Sequence, residues 1–120
     1  MKLRIKGNTI RIRLSENEVN LLASGEVVEE KTQFPDSVLA YKLESSKDFF
    51  VDFSDNTVLI KLTEDEIQLW ATTEQVSISK EISTINDDIL SILVEKDFKC
   101  LTVRPEDESQ MYPNPNKHNC

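Results

Sequence analysis

The chain has 120 residues, of which 38% are hydrophobic and 30% charged, and its 22 acidic against 14 basic residues give a formal net charge of −8. That length suits one principal core, and the negative charge repels phosphate backbones at long range, which sets aside general nucleic-acid binding. No apolar run approaches the roughly 20 residues that span a bilayer, and Met1-Lys2-Leu3-Arg4-Ile5-Lys6 alternates where a secretory signal would be continuously apolar, so the expectation is a cytoplasmic protein with no membrane partner.

From the start of the chain, Met1, Leu3 and Ile5 are apolar at every second position, as are Ile10, Ile12 and Leu14. With Gly7-Asn8 between them they read as a hairpin with a two-residue turn. Ser15-Glu16-Asn17-Glu18 then fits a capping box, and Leu14 with Val19 fits the hydrophobic staple that sets the angle from strand to helix. Val19, Leu22 and Ala23 recur at helical spacing and predict one apolar stripe. Gly25 is placed to end that helix in a left-handed conformation. Two further strands are expected, from Val27 to Phe34 and from Val38 to Ser45.

The same order then returns. Phe49, Val51 and Phe53 face Val58, Ile60 and Leu62 across Asp55-Asn56, and Thr63-Glu64-Asp65-Glu66 repeats the capping box. Ile67, Trp70 and Ala71 repeat the stripe, with Trp70 expected in the core. Thr73 stands where the first helix has Gly25, so the second helix should end differently. Strands from Val76 to Ile82 and from Ile89 to Glu95 follow.

Laying Asn8–Ala23 on Asn56–Ala71 gives NTIRIRLSENEVNLLA against NTVLIKLTEDEIQLWA, with eight identical residues in sixteen. The chain therefore reads as one duplicated domain over residues 1–103, with a β-α-β-β-β unit at about 9–53 and again at about 57–103, preceded by one extra strand. Neither helix could bury its stripe without a complete sheet. The predicted fold class is α+β, an antiparallel sheet strongly curved or closed like a barrel, with two helices related by a pseudo-two-fold. Two smaller sheets packed face to face are the alternative. Residues 104–120 lack periodicity and read as a tail, acidic at Glu106-Asp107-Glu108 and then rich in Pro and Asn.

Three groups of residues are candidate sites. Lys2, Arg4, Lys6, Arg11 and Arg13 lie opposite the apolar side of the first hairpin, and Lys61 repeats Arg13. Lys2, Arg4, Arg11, Arg13 and Lys61 are the candidate anion-binding set, because confined cations attract phosphate or carboxylate. The plainer reading is a solvated face paired with Glu29, Asp52 or the acidic tail. Cys100, His118 and Cys120 supply two thiolates and an imidazole, a possible zinc set without a paired Cys-x-x-Cys knuckle. His118 is the sole histidine and lies in the tail, a poor place to hold a catalytic triad rigid. Glu16, Glu18, Glu64 and Glu66 are accounted for by helix capping. With only Gly7 and Gly25, there is no phosphate-cradling glycine loop.

Glu95-Lys96-Asp97-Phe98-Lys99-Cys100-Leu101, Arg104, Glu106-Asp107-Glu108-Ser109 and Tyr112-Pro113-Asn114-Pro115 resemble the ending of a family of short bacterial proteins of unknown function. Lys6-Gly7-Asn8-Thr9-Ile10-Arg11-Ile12-Arg13-Leu14 fits the same family. The duplicated plan is also similar to the triphosphate tunnel, or CYTH-like, enzymes, which close eight strands around a basic channel. That likeness implies a metal-dependent phosphohydrolase with a Glu-x-Glu-x-Lys strand, whereas this chain has Lys2-Leu3-Arg4-Ile5-Lys6 there. The functional expectation is a noncatalytic module that binds a small anion or a protein partner, with the phosphohydrolase as alternative. Patterning and capping explain most residues, and no catalytic set converges.

Overall fold

The computed structural model describes residues 1–98. Its elements, in chain order, are β1 (Lys2–Lys6), β2 (Thr9–Leu14), α1 (Glu16–Ala23), β3 (Val28–Gln33), β4 (Val38–Ser46), β5 (Phe50–Ser54), β6 (Thr57–Thr63), α2 (Glu64–Thr72), β7 (Ser77–Ser83) and β8 (Ile89–Lys96). The plan is hairpin, helix, hairpin, and then the same again. Counted this way the repeat starts one strand earlier than the sequence pattern suggested, since β1 is the counterpart of β5.

Local chemistry fixes both strand-to-helix junctions alike. The Glu18 amide donates to Ser15 Oγ at 3.3 Å and the Ser15 amide donates to Glu18 Oε1 at 2.9 Å. At the second junction the Glu66 amide donates to Thr63 Oγ1 at 3.3 Å and the Thr63 amide to Glu66 Oε2 at 2.8 Å. Each box satisfies amides that the first helical turn leaves without intrahelical partners. Leu14 with Val19 and Leu62 with Ile67 are all buried, as a staple requires.

The helix ends differ, for the reason seen in the sequence. Gly25 sits at φ 93, its amide donates to the Leu22 carbonyl at 3.1 Å, and the Glu26 amide donates to the Leu21 carbonyl at 3.0 Å. That is a Schellman end, which needs the left-handed residue that glycine supplies. In α2 the extended Thr73 closes the helix instead, with its hydroxyl donating to the Leu69 carbonyl at 2.6 Å.

Strand pairing corrects the expectation of one curved or closed antiparallel sheet. The described strands divide into two four-stranded sheets, ordered β1-β2-β8-β7 and β3-β4-β6-β5, and no barrel closes. At the centre of each sheet the pairing is parallel, β2 with β8 and β4 with β6, while the outer pairs are antiparallel hairpins. Alternation fixes which face of a strand is buried but is indifferent to the neighbouring strand. The eight-stranded closure implied by the tunnel-enzyme likeness is therefore not the arrangement of residues 1–98.

Each sheet takes one hairpin from each repeat. β1-β2 of the first is completed by β7-β8 of the second, and β5-β6 of the second by β3-β4 of the first. Register repeats too, with Thr9 opposite Ser91 and Thr57 opposite Ala40. α1 packs on β2, β3 and β4, α2 on β4, β6 and β7, and the helices touch each other. One apolar cluster runs through both sheets, including Ile12, Leu14, Ile92 and Val94 from one, Leu43, Ile60 and Leu62 from the other, and Leu22 and Trp70 from the helices. Trp70 is fully buried and its indole Nε1 donates to the Val76 carbonyl at 2.9 Å. Each such Leu or Ile contributes roughly 1.5–3 kcal/mol on burial.

Candidate functional site

Register along β1, β2 and β8 builds the outer face of the first sheet in rows. Lys2 lies opposite Arg13, Arg4 opposite Arg11, and Lys6 opposite Thr9. Across β2 these rows continue to Glu95, Leu93 and Ser91. Two-residue periodicity puts all five cations on one side, because Leu3, Ile5, Ile10, Ile12 and Leu14 take the other.

The chain neutralises one end of this face itself. Glu95 Oε1 accepts from Arg13 Nε at 2.7 Å and lies 3.1 Å from Arg11 Nε, so one carboxylate from β8 holds two arginines. Lys2 Nζ donates to Asp97 Oδ2 at 2.9 Å. At the other end Arg4 and Lys6 are exposed and form no ion pair among the described residues. There Arg4, Lys6, Thr9, Arg11 and Leu93 line an open depression of about 480 Å³. Like charges directly opposite in a ladder destabilise it, so the Arg4–Arg11 row is a local cost of the free protein.

Of the sequence candidates, the structure brings together Lys2, Arg4, Arg11 and Arg13 and leaves Lys61 apart. Lys61 is on β6 in the second sheet, 3.9 Å from Glu44 and with its ammonium 5.7 Å from the centre of the Phe50 ring. It repeats Arg13 only locally, since Glu44 is the counterpart of Glu95. The positions of Lys2, Arg4 and Lys6 are taken in β5 by Phe50, Asp52 and Ser54, so the basic face is not duplicated.

Of the partners suggested for the basic residues, Glu29 and Asp52 are engaged elsewhere. Glu29 pairs with Lys42 and Lys31, and Asp52 accepts from the Ser54 hydroxyl. Glu95 and Asp97, from the far end of the described chain, pair with the basic face instead. Sequence reasoning missed Glu95 in this role, and the only signal for it was its match to Glu44 in the repeat. Thr9 and Leu93 were missed as lining residues because only the parallel register beside β2 gathers them.

A second group of titratable side chains lies where the helices begin. Burial raises the Glu18 carboxyl, but hydrogen bonds from the amino terminus, 2.5 Å away, and from Ser15 outweigh it and leave the carboxyl below its usual range. Burial likewise raises Glu66, and bonds from Lys80 and Thr63 bring it below the usual value. Burial, followed by the charges of Glu30 and Glu18, pushes the Tyr41 hydroxyl up. The two glutamates perform capping work.

Cys100, His118 and Cys120, with the acidic tail, lie outside the described residues. Among those described, no three His, Cys, Asp or Glu side chains gather as a metal-binding group, no polar or charged side chain is buried, and no helix is long and apolar enough to cross a membrane. The strand corresponding to the tunnel enzymes' metal-holding strand is β1, whose outward side chains are Lys2, Arg4 and Lys6. Cations do not ligate Mg²⁺, so these residues do not fit that ion.

A family model described as a family of unknown function (DUF7009) matches residues 1–116. No curated protein and no solved structure matches the chain.

Proposed function

We propose that this chain, which belongs to the DUF7009 family of unknown function, is a binding module whose first sheet presents an anion-recognition surface at Arg4, Lys6 and Arg11. The observation that carries this reading is the placement of Arg4 directly opposite Arg11, with Arg4 and Lys6 lacking an ion pair among the described residues. A phosphate or carboxylate bridging the row would turn a repulsion into charge-assisted hydrogen bonds. Thr9 adds a hydroxyl and Leu93 an apolar floor.

The contrast with the second sheet supports a specific role. There every cation on the equivalent face has a carboxylate near it, Lys61 with Glu44 and Lys31 and Lys42 with Glu29. General solubility gives no reason for one face to be left so unbalanced among the described residues of a chain of net charge −8. Binding without catalysis fits a core free of buried polar side chains among the described residues. The phosphohydrolase alternative has no comparable support, because β1 carries no carboxylate and Glu95 is held by two arginines.

Titration of isotope-labelled protein with inorganic phosphate and with citrate at low salt tests the proposal. Saturable movement of the Arg4, Lys6, Thr9 and Arg11 resonances, lost in the Arg4→Ala/Lys6→Ala double variant, is expected. Movement no larger than that of Lys31 and Lys42 on the other sheet contradicts it.

A further inference from the structure

We infer that the natural occupant of this surface is an extended acidic segment of another protein, added as a fifth strand along β1. The inference rests on the anion reading above and adds the partner's class. Among the described strands β1 is an edge of its sheet, and an edge strand offers a row of unpaired amides and carbonyls. Counting back from the two-residue turn, the pair flanking it, Lys6 and Thr9, is hydrogen-bonded, and so are Arg4 with Arg11 and Lys2 with Arg13. The amides and carbonyls of Leu3 and Ile5 consequently point toward the open edge.

An incoming antiparallel strand would bond to Leu3 and Ile5. Its residues opposite Arg4 and Lys6 would then form the closely spaced, non-hydrogen-bonded pairs, with Cα atoms about 4.5 Å apart. Side chains two residues apart on one strand face stand about 6.8 Å from each other. The same spacing separates Arg4 from Lys6, so a segment with acids at i and i+2 meets both cations at once. Its intervening residues face Leu3, which is half-buried, and Ile5, which is 57% exposed, and these favour apolar partners. The recognised pattern is acid-apolar-acid-apolar. At Lys2 the chain supplies an equivalent carboxylate itself, Asp97 at 2.9 Å.

The other edges are less suited to such a partner. β5 presents Asp52 and Phe50, β3 carries Glu29 and Glu30, and Lys80 of β7 is committed to Glu66. Cations on β1 also deter pairing with neutral or basic strands, so one feature gives both exclusion and selection.

The test uses the full chain and three blocked heptapeptides: one alternating Glu and Val, one of the same composition with the residues in blocks, and the alternating one N-methylated at its valines. The expected result is that the alternating peptide binds, slows hydrogen exchange of the Leu3 and Ile5 amides and shifts Arg4 and Lys6. The blocked-order and N-methylated peptides should each bind about tenfold more weakly or worse. Arg4→Glu should weaken the alternating peptide by a similar factor, and placing Lys in the peptide opposite that position should restore it. Equal affinity for the blocked-order peptide, or unchanged exchange at Leu3 and Ile5, overturns the strand-addition inference. If phosphate still moves Arg4 and Arg11 while no peptide binds, the partner assignment fails and the anion surface stands. If neither acts, both fail.

Discussion

Lys80 reaches from β7 to within 2.8 Å of Glu66, the residue that closes the capping box of α2, and its ammonium stands 5.6 Å from the centre of the Phe49 ring. In the first repeat Glu30 takes the place of Lys80, and the cation beside Glu18 is the Met1 amino group, 3.6 Å from Glu30 as well. The two repeats thus keep a charged clamp at each helix start with the cation drawn from different places.

Both clamped glutamates lie below their ordinary value, because hydrogen bonds from the cation and from the cap residue together outweigh burial. A carboxyl depressed in the folded state supplies stability that is full above its unfolded pKa and lost as the pH falls through its folded pKa. Lys80→Met keeps the stem and removes the charge, and should cost about 1 kcal/mol at pH 7. Urea midpoints of the variant and the parent should converge in acid, as the pH falls below the ordinary carboxylate range and Glu66 protonates. A constant offset down to pH 3 would show that the lysine acts by packing alone.

Gly25 holds the Schellman end of α1 at φ 93 with open space around the position of a side chain. Gly25→Ala therefore meets backbone strain without a clash, and should destabilise by about 1 kcal/mol. Chemical denaturation reads this directly. An unchanged midpoint would mean that the helix end relaxes to an extended cap like that of Thr73.

The Arg4–Arg11 row gives a prediction of opposite sign. Arg4→Thr should stabilise the free protein at low salt by roughly 0.2–1 kcal/mol through relief of like charge, while weakening anion binding. The salt-dependent part of that gain should vanish near 1 M NaCl, where screening is nearly complete. A gain that persists unchanged in high salt would come from strand propensity instead.

Much of the local structure is legible in the residues themselves. The two capping boxes, the hairpins around Gly7-Asn8 and Asp55-Asn56, and Gly25 as a helix stop all act within a few positions. At the second turn Asp55 and Asn56 take φ values of 52 and 57, the positive pair that a two-residue hairpin of this kind requires. Neighbours across the repeats are not legible. Ile12 shows the same alternation whether its partner is Val94 or any other strand, and only the assembled core selects the parallel pairing.

The candidate site divides along the same line. Lys2, Arg4, Arg11 and Arg13 fall on one face by periodicity alone, and a two-residue turn makes their rows. The attachment of Glu95 to Arg13, 82 positions apart, depends on β8 lying beside β2. Lys61 repeats the local position of Arg13, and that match says nothing of which sheet a strand joins.

Interleaving of the repeats is tested most directly by a lesion in one, read by a probe in the other. Ile12 lies in the first repeat and is 1% exposed, and Trp70, the single tryptophan, lies in the second. Ile12→Ala should lower stability by roughly 2–5 kcal/mol. The urea midpoint followed by Trp70 fluorescence should fall together with that followed by far-ultraviolet circular dichroism, in one transition. A Trp70 transition that stays in place while part of the dichroism signal moves to lower urea would show two independently folding halves and contradict the shared core.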